Sequence, residues 1–110
     1  MKDFSVLRTR YERDPIEVQI GGLASNLSRI SWHIRQSGTE ANLRPLFRES
    51  KYFAEWAASH ASLKIQGVLA EVQVDLAIWE RKASSGQLLP TYAEQSEAWA
   101  QSLLSLAGFI

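Results

Sequence analysis

Residues 16–34 read IEVQIGGLASNLSRISWHI, and the reading of this stretch decides the fold. Ile16, Ile20, Leu23, Leu27, Ile30 and Ile34 recur at alternating spacings of four and three. That spacing places them on one narrow face of a continuous helix. Gly21 and Gly22 fall inside it, although each costs up to about 1 kcal/mol relative to Ala in a helix interior. A phosphate loop would set its glycines after a strand, opening a helix, with a lysine behind them. Here they lie about five residues inside the helix, and GGLASN holds no lysine. The unbroken seam also argues against a helix break. What is left is a surface at which something packs very close.

The signals around the seam agree with a helix over 15–36. Asp14 can serve as N-cap, Pro15 suits the first helical position, and Glu17 can reach back as a capping-box partner. Gly38 stops the pattern. A second helix is expected to begin near Thr39 to Asn42, either of which can cap it, with Pro45 in the first turn. Leu43, Leu46, Phe47, Phe53, Ala54 and Ala57 form its apolar side, Tyr52 and Trp56 widen that stripe, and it should end at 58–60. A third helix spans 62–83, with Ile65, Val68, Leu69, Val72, Leu76 and Trp79 facing inward. ASSGQLLPT follows as a loop, broken by Gly86 and Pro90. Thr91 and Glu94 read as a capping box for a fourth helix. Its expected apolar face is Tyr92, Trp99, Leu103 and Leu106, and Gly108 sits where a terminating glycine belongs.

Four helices with short connections imply antiparallel neighbours, so the expected fold is an all-α, up-down-up-down four-helix bundle. Residues 1–13 are expected to be a short N-terminal arm and 14–110 the bundle domain, a size that needs no metal or disulfide to fold.

At about 100° per residue, Val18, Gly21, Ser25, Ser28 and Trp32 point away from the seam. A solvated face would carry Lys, Glu and Gln instead. Leu63, Gly67, Ala70, Val74, Ala77 and Ile78 similarly lie opposite the inward face of the 62–83 helix. A helix apolar on both sides is normally buried on both, and large bare apolar patches are unusual on monomers. Either the arm, through Phe4, Val6, Leu7 and Tyr11, or a second copy of the chain should cover these faces. The arm is too short for both, and symmetric dimers are the commonest oligomers. The expected protein interface is therefore Val18, Gly21, Gly22, Ser25 and Trp32 with Gly67, Ala70 and Val74, in a homodimer.

Composition narrows the chemistry. Twelve basic and twelve acidic side chains cancel, so no net field draws the chain to nucleic acid or anionic lipid. Basic residues do gather, as Arg29, Arg35, Arg44 and Arg48 and as Arg8, Arg10 and Arg13 around Tyr11. The first group is diluted by nearby glutamates. There is no cysteine, which removes disulfides, thiolate catalysis and cysteine-ligated zinc and fits a reducing cytoplasm. No apolar run approaches the roughly 18 residues of a membrane helix, and the N-terminus lacks the apolar core of a signal peptide. Neither His33 nor His60 follows a carboxylate at the spacing used by metal sites in bundles. No nucleophile elbow surrounds any serine. Glu71 and Asp75, four apart, read as a solvated edge.

The stretch LFRESKYFAEWAA (46–58), with ANLRP before it and LAIWE (76–80) further on, resembles a group of small uncharacterised all-helical proteins of cyanobacteria. The resemblance implies a bacterial cytoplasmic bundle protein and assigns no activity, cofactor or site residue. The expected function is accordingly non-enzymatic, through protein–protein contacts, with no cofactor. The alternative is a bundle holding a small apolar ligand or pigment among Tyr52, Phe53, Trp56, Trp79 and Trp99.

Overall fold

The computed structural model describes residues 4–36 and 40–110. They form five helices, α1 (Ser5–Arg13), α2 (Ile16–Arg35), α3 (Glu40–Ala58), α4 (Leu63–Ser84) and α5 (Pro90–Leu106), and no strand. The expected arm is thus mostly helix, and the architecture has one helix more than the pattern suggested. Gly38 as a helix stop and Thr39 as a cap lie outside the described residues.

The seam of α2 becomes the centre of the core. Ile20, Leu23, Leu27 and Ile30 are fully buried, with Ile16 and Ile34 half-buried at its two ends. Helix α2 lies between α5 and α3, and α4 packs on the far side of α3. Asn26, itself buried, joins α2 to α3: its amide donates to Glu49 at 3.1 Å and accepts from Arg29 at 3.2 Å.

The two seams made by α5 differ in the size of what fills them. Ala93, Ser96, Ala100 and Leu103, at spacings of three and four, are the buried residues of α5. The Ser96 hydroxyl donates to the Leu27 carbonyl of α2 at 2.6 Å, and Ala24 and Ser31 are buried on α2. Small side chains on both surfaces let two helix axes approach closely, since the contact side chains set the interaxial distance. The expected apolar face of α5 therefore needs correction. Leu103 is buried as expected, but Tyr92, Trp99 and Leu106 are half-buried on the flank. Tyr92 and Trp99 reach α4: the Tyr92 ring lies 6.4 Å from that of Trp79, and the Trp99 indole N–H donates to Asp75 at 2.7 Å. Bulky groups hold α4 and α5 further apart than α2 and α5. The result is a slab of 36 × 34 × 19 Å, with a radius of gyration of 13.3 Å.

Helix ends show which local signals hold. Ser62, the expected start of the third helix, caps α4, accepting from Ile65 N–H at 3.4 Å. Gly86 (φ 69°) and Gly108 (φ 87°) adopt the left-handed conformation that ends α4 and α5. Each ending has paired reverse bonds, Gln87 N–H to Lys82 O with Gly86 N–H to Ala83 O, and Phe109 N–H to Leu104 O with Gly108 N–H to Ser105 O. Those pairs satisfy carbonyls that a helix end leaves open.

Three expected caps are overturned. Asp14 is the C-cap of α1, with its N–H on Tyr11 O, and Pro15 (φ −55°, ψ 155°) precedes α2. A residue before proline is pushed to extended backbone, and Asp14 (ψ 153°) adopts it. The same effect moves the start of α5 back to Pro90, with Leu89 extended before it, so Thr91 lies inside the helix and caps nothing. Asn42 is likewise inside α3, and Pro45 falls in its second turn rather than its first.

Candidate contact surface

Helix α1 docks through rings. Tyr11 stacks on Phe53 (centroids 4.0 Å, 11°), and Phe4 packs on Tyr52 at 4.6 Å and edge-on to Trp56 at 6.5 Å. The Tyr11 hydroxyl donates to the Gln19 carbonyl, and the Gln19 amide donates to Asp14 O at 2.9 Å. Burial pushes the Tyr11 phenol well above its ordinary pKa. Outside the rings, Glu12 meets His60 Nε2 at 2.8 Å and accepts from Arg8, whose guanidinium sits 5.9 Å from the Trp56 ring centre. Hydrogen bonds from His60 and then Arg8 hold the Glu12 carboxyl below the usual range. His60, just past the end of α3, is thus an anchor for α1.

The two glycines, about 100° apart around α2, each lie against a ring. A Cβ on Gly22 would meet Tyr11 Cε1 at 3.6 Å, and one on Gly21 would meet Phe109 Cε2 at 3.3 Å. The close approach expected of a second chain is made by two rings of the same chain. The rest of the outer face of α2 is bare: Val18 and Trp32 are 47% and 58% exposed, and Ser25 is exposed between them. The Trp32 ring has His33 edge-on beside it, at 5.0 Å.

On α4 none of the described residues covers the outer face. Leu63 is 84% exposed, Val74 60% and Ile78 42%, and Gly67, Ala70 and Ala77 are exposed between them. Gly67 has no atom within 4 Å of the Cβ position it lacks. These residues continue at spacings of four and three, like the residues of a helix-pairing seam. The expected surfaces on α2 and α4 remain separate, because α3 lies between the two helices.

The five aromatic residues named as a ligand lining do not surround one cavity. Tyr52, Phe53 and Trp56 pack with Phe4 and Tyr11, and Trp79 is buried beside Tyr92. Trp99 borders a groove of about 580 Å³ shared with Lys64, Val68, Leu106 and Ile110, and Tyr52 borders a separate one of about 380 Å³ with Arg48, Lys51, Glu55 and Gln73.

Sequence reasoning missed two features. The small face of α5 was visible as the spacing of Ala93, Ser96, Ala100 and Leu103, but the larger aromatics beside it drew the assignment. The Trp99–Asp75 bond had no local signal, and it turns half of the expected solvated pair into a link between helices. Arg44, one of the clustered basic residues, is paired with Glu40. Among the described residues there is no group of three or more His, Asp or Glu able to hold a metal ion, and no helix is long and apolar enough to cross a membrane. No known protein family, characterised protein or solved structure matches this chain.

Proposed function

We propose that the chain is a non-enzymatic protein of the cytoplasm that acts through protein–protein contact, first with a second copy of itself, on an up-down-up-down bundle formed by α2–α5. The bare apolar stripe of α4 carries this reading. A 22-residue helix whose outer face offers Leu63, Gly67, Ala70, Val74 and Ile78 to water leaves unburied the apolar surface whose removal drives association. The stripe on α2 contributes less, because Gly21 and Gly22 already have rings of the same chain against them.

Sedimentation over a concentration series tests the proposal. The wild-type chain should pass from monomer to dimer as concentration rises, and Val74→Asp should stay monomeric with an unchanged helical spectrum. Wild-type protein that remains monomeric to several hundred micromolar would defeat it.

A further inference from the structure

We infer that two copies pair antiparallel along α4, about a two-fold axis passing between Gly67 and Ala70. This rests on the self-association proposed above and adds the partner's direction and register.

Over the first four positions of the bare stripe, before Ala77 and Ile78, the order is Leu63, Gly67, Ala70, Val74, large–small–small–large. Leu63 and Val74 lie equally far from the midpoint of Gly67 and Ala70. A two-fold axis at that midpoint sets Gly67 opposite the partner's Ala70, where the backbones come closest, and Leu63 opposite the partner's Val74 on each side. Gly67 has open space where its Cβ would stand, so the crossing point is unobstructed.

Charge selects the same arrangement. Lys64 and Glu71 are both exposed, on the edge of α4 that faces α5, and neither has an ion-pair partner among the described residues. Seven residues apart, they are about 10 Å from each other along one helix and do not pair within a chain. The proposed axis brings each Lys64 to the partner's Glu71, twice by symmetry. A parallel pair would instead carry the Lys64–Glu71 edges of the two copies to opposite sides of the seam, forming neither ion pair, and would set Gly67 opposite Gly67. Moving the axis to lie between Ala70 and Glu71 would match Gly67 with Val74 but bring the two Glu71 carboxylates together. Only the first register satisfies both size and charge.

Among the described residues no segment of the chain lies over the stripe. The stretches outside the described residues, 1–3 and 37–39, each reach roughly 10 Å at full extension, less than the roughly 16 Å from Leu63 to Val74. A seam of four residues per copy falls short of the about 1,200 Å² of a standard interface, so pairing should depend on concentration.

The native chain has no cysteine, so introduced thiols report register directly. Leu63→Cys and Val74→Cys proteins, mixed and oxidised at a concentration where the wild type sediments as a dimer, should give the mixed disulfide. Either alone should not cross-link, because like positions lie roughly 16 Å apart along the axis. Separately, Lys64→Glu and Glu71→Lys should each weaken association about threefold to tenfold, and the double swap should restore it. Self-linking of either cysteine variant, a wild-type dimer without the mixed product, or a double swap as weak as the singles would overturn the register while leaving self-association standing. A wild type that never dimerises would overturn both.

Discussion

Gly21 and Gly22 are adjacent in the chain, yet a methyl group added to each would meet a different obstacle. At Gly22 the nearest atom is Tyr11 Cε1 at 3.6 Å, an ordinary contact, and at Gly67 there is nothing within 4 Å. Gly22→Ala and Gly67→Ala should therefore gain most of the helix-propensity difference, raising stability by about 0.5–1 kcal/mol. At Gly21 the Phe109 ring at 3.3 Å must give way by a few tenths of an ångström. That ring stands on the C-terminal tail and is half exposed, so it can yield, and Gly21→Ala should also stabilise but by less. Urea unfolding of the three variants gives the order. The sequence alone showed that something must lie close to these glycines. It could not show what, because Phe109 approaches only through the reversal at Gly108, and the packing of a tail has no periodic signal.

Helix α1 illustrates an element whose stability is not local. Nine residues are too few for a stable isolated helix in water, no side-chain cap starts it, and its charges alternate with apolar residues. From the sequence it is an arm. Contact with Phe53, Trp56 and the backbone of α2 makes it helical, and the ring contacts arise between positions about forty residues apart. Tyr11→Phe keeps the stacked ring but leaves the Gln19 carbonyl without its hydroxyl donor, and should cost about 1 kcal/mol in urea or thermal unfolding. The outer anchor gives a pH effect. The Glu12 carboxyl lies below its ordinary range in the folded chain, so the unfolded chain binds that proton more readily. Its contribution is complete above the ordinary carboxylate range, about pH 4–5, and is lost as pH falls through the lowered value. Amide shifts of Arg8–Arg13 followed down in pH should show α1 loosening in that acid window, and Glu12→Gln should remove the transition.

Across the whole molecule, the helices share one core but not one spacing. Periodicity found the inward faces of α2, α3 and α4, because six or more apolar residues on one stripe leave little ambiguity. It misplaced α5, where alanine and serine fill the tight seam with α2 and the aromatics turn aside to α4. Hydrophobicity ranks tryptophan above alanine, but a close crossing selects for size. The same substitution on two faces separates these effects. Ala100 is fully buried on the small face of α5, whereas Ala70 is exposed on the bare stripe of α4. Ala100→Leu forces extra volume between α2 and α5, where neither backbone can retreat without uncovering Leu27 and Leu103. It should cost about 1–3 kcal/mol, the range for overpacking a filled core. Ala70→Leu meets only solvent in the dilute monomer and should stay within about 0.5 kcal/mol of wild type. Urea midpoints at low protein concentration compare the two, with equal slopes showing that the unfolded states are alike. Equal losses at both positions would mean that α5 does not pack on α2 through its small residues. A loss at Ala100 alone establishes the tight seam on which the wider one between α4 and α5 depends.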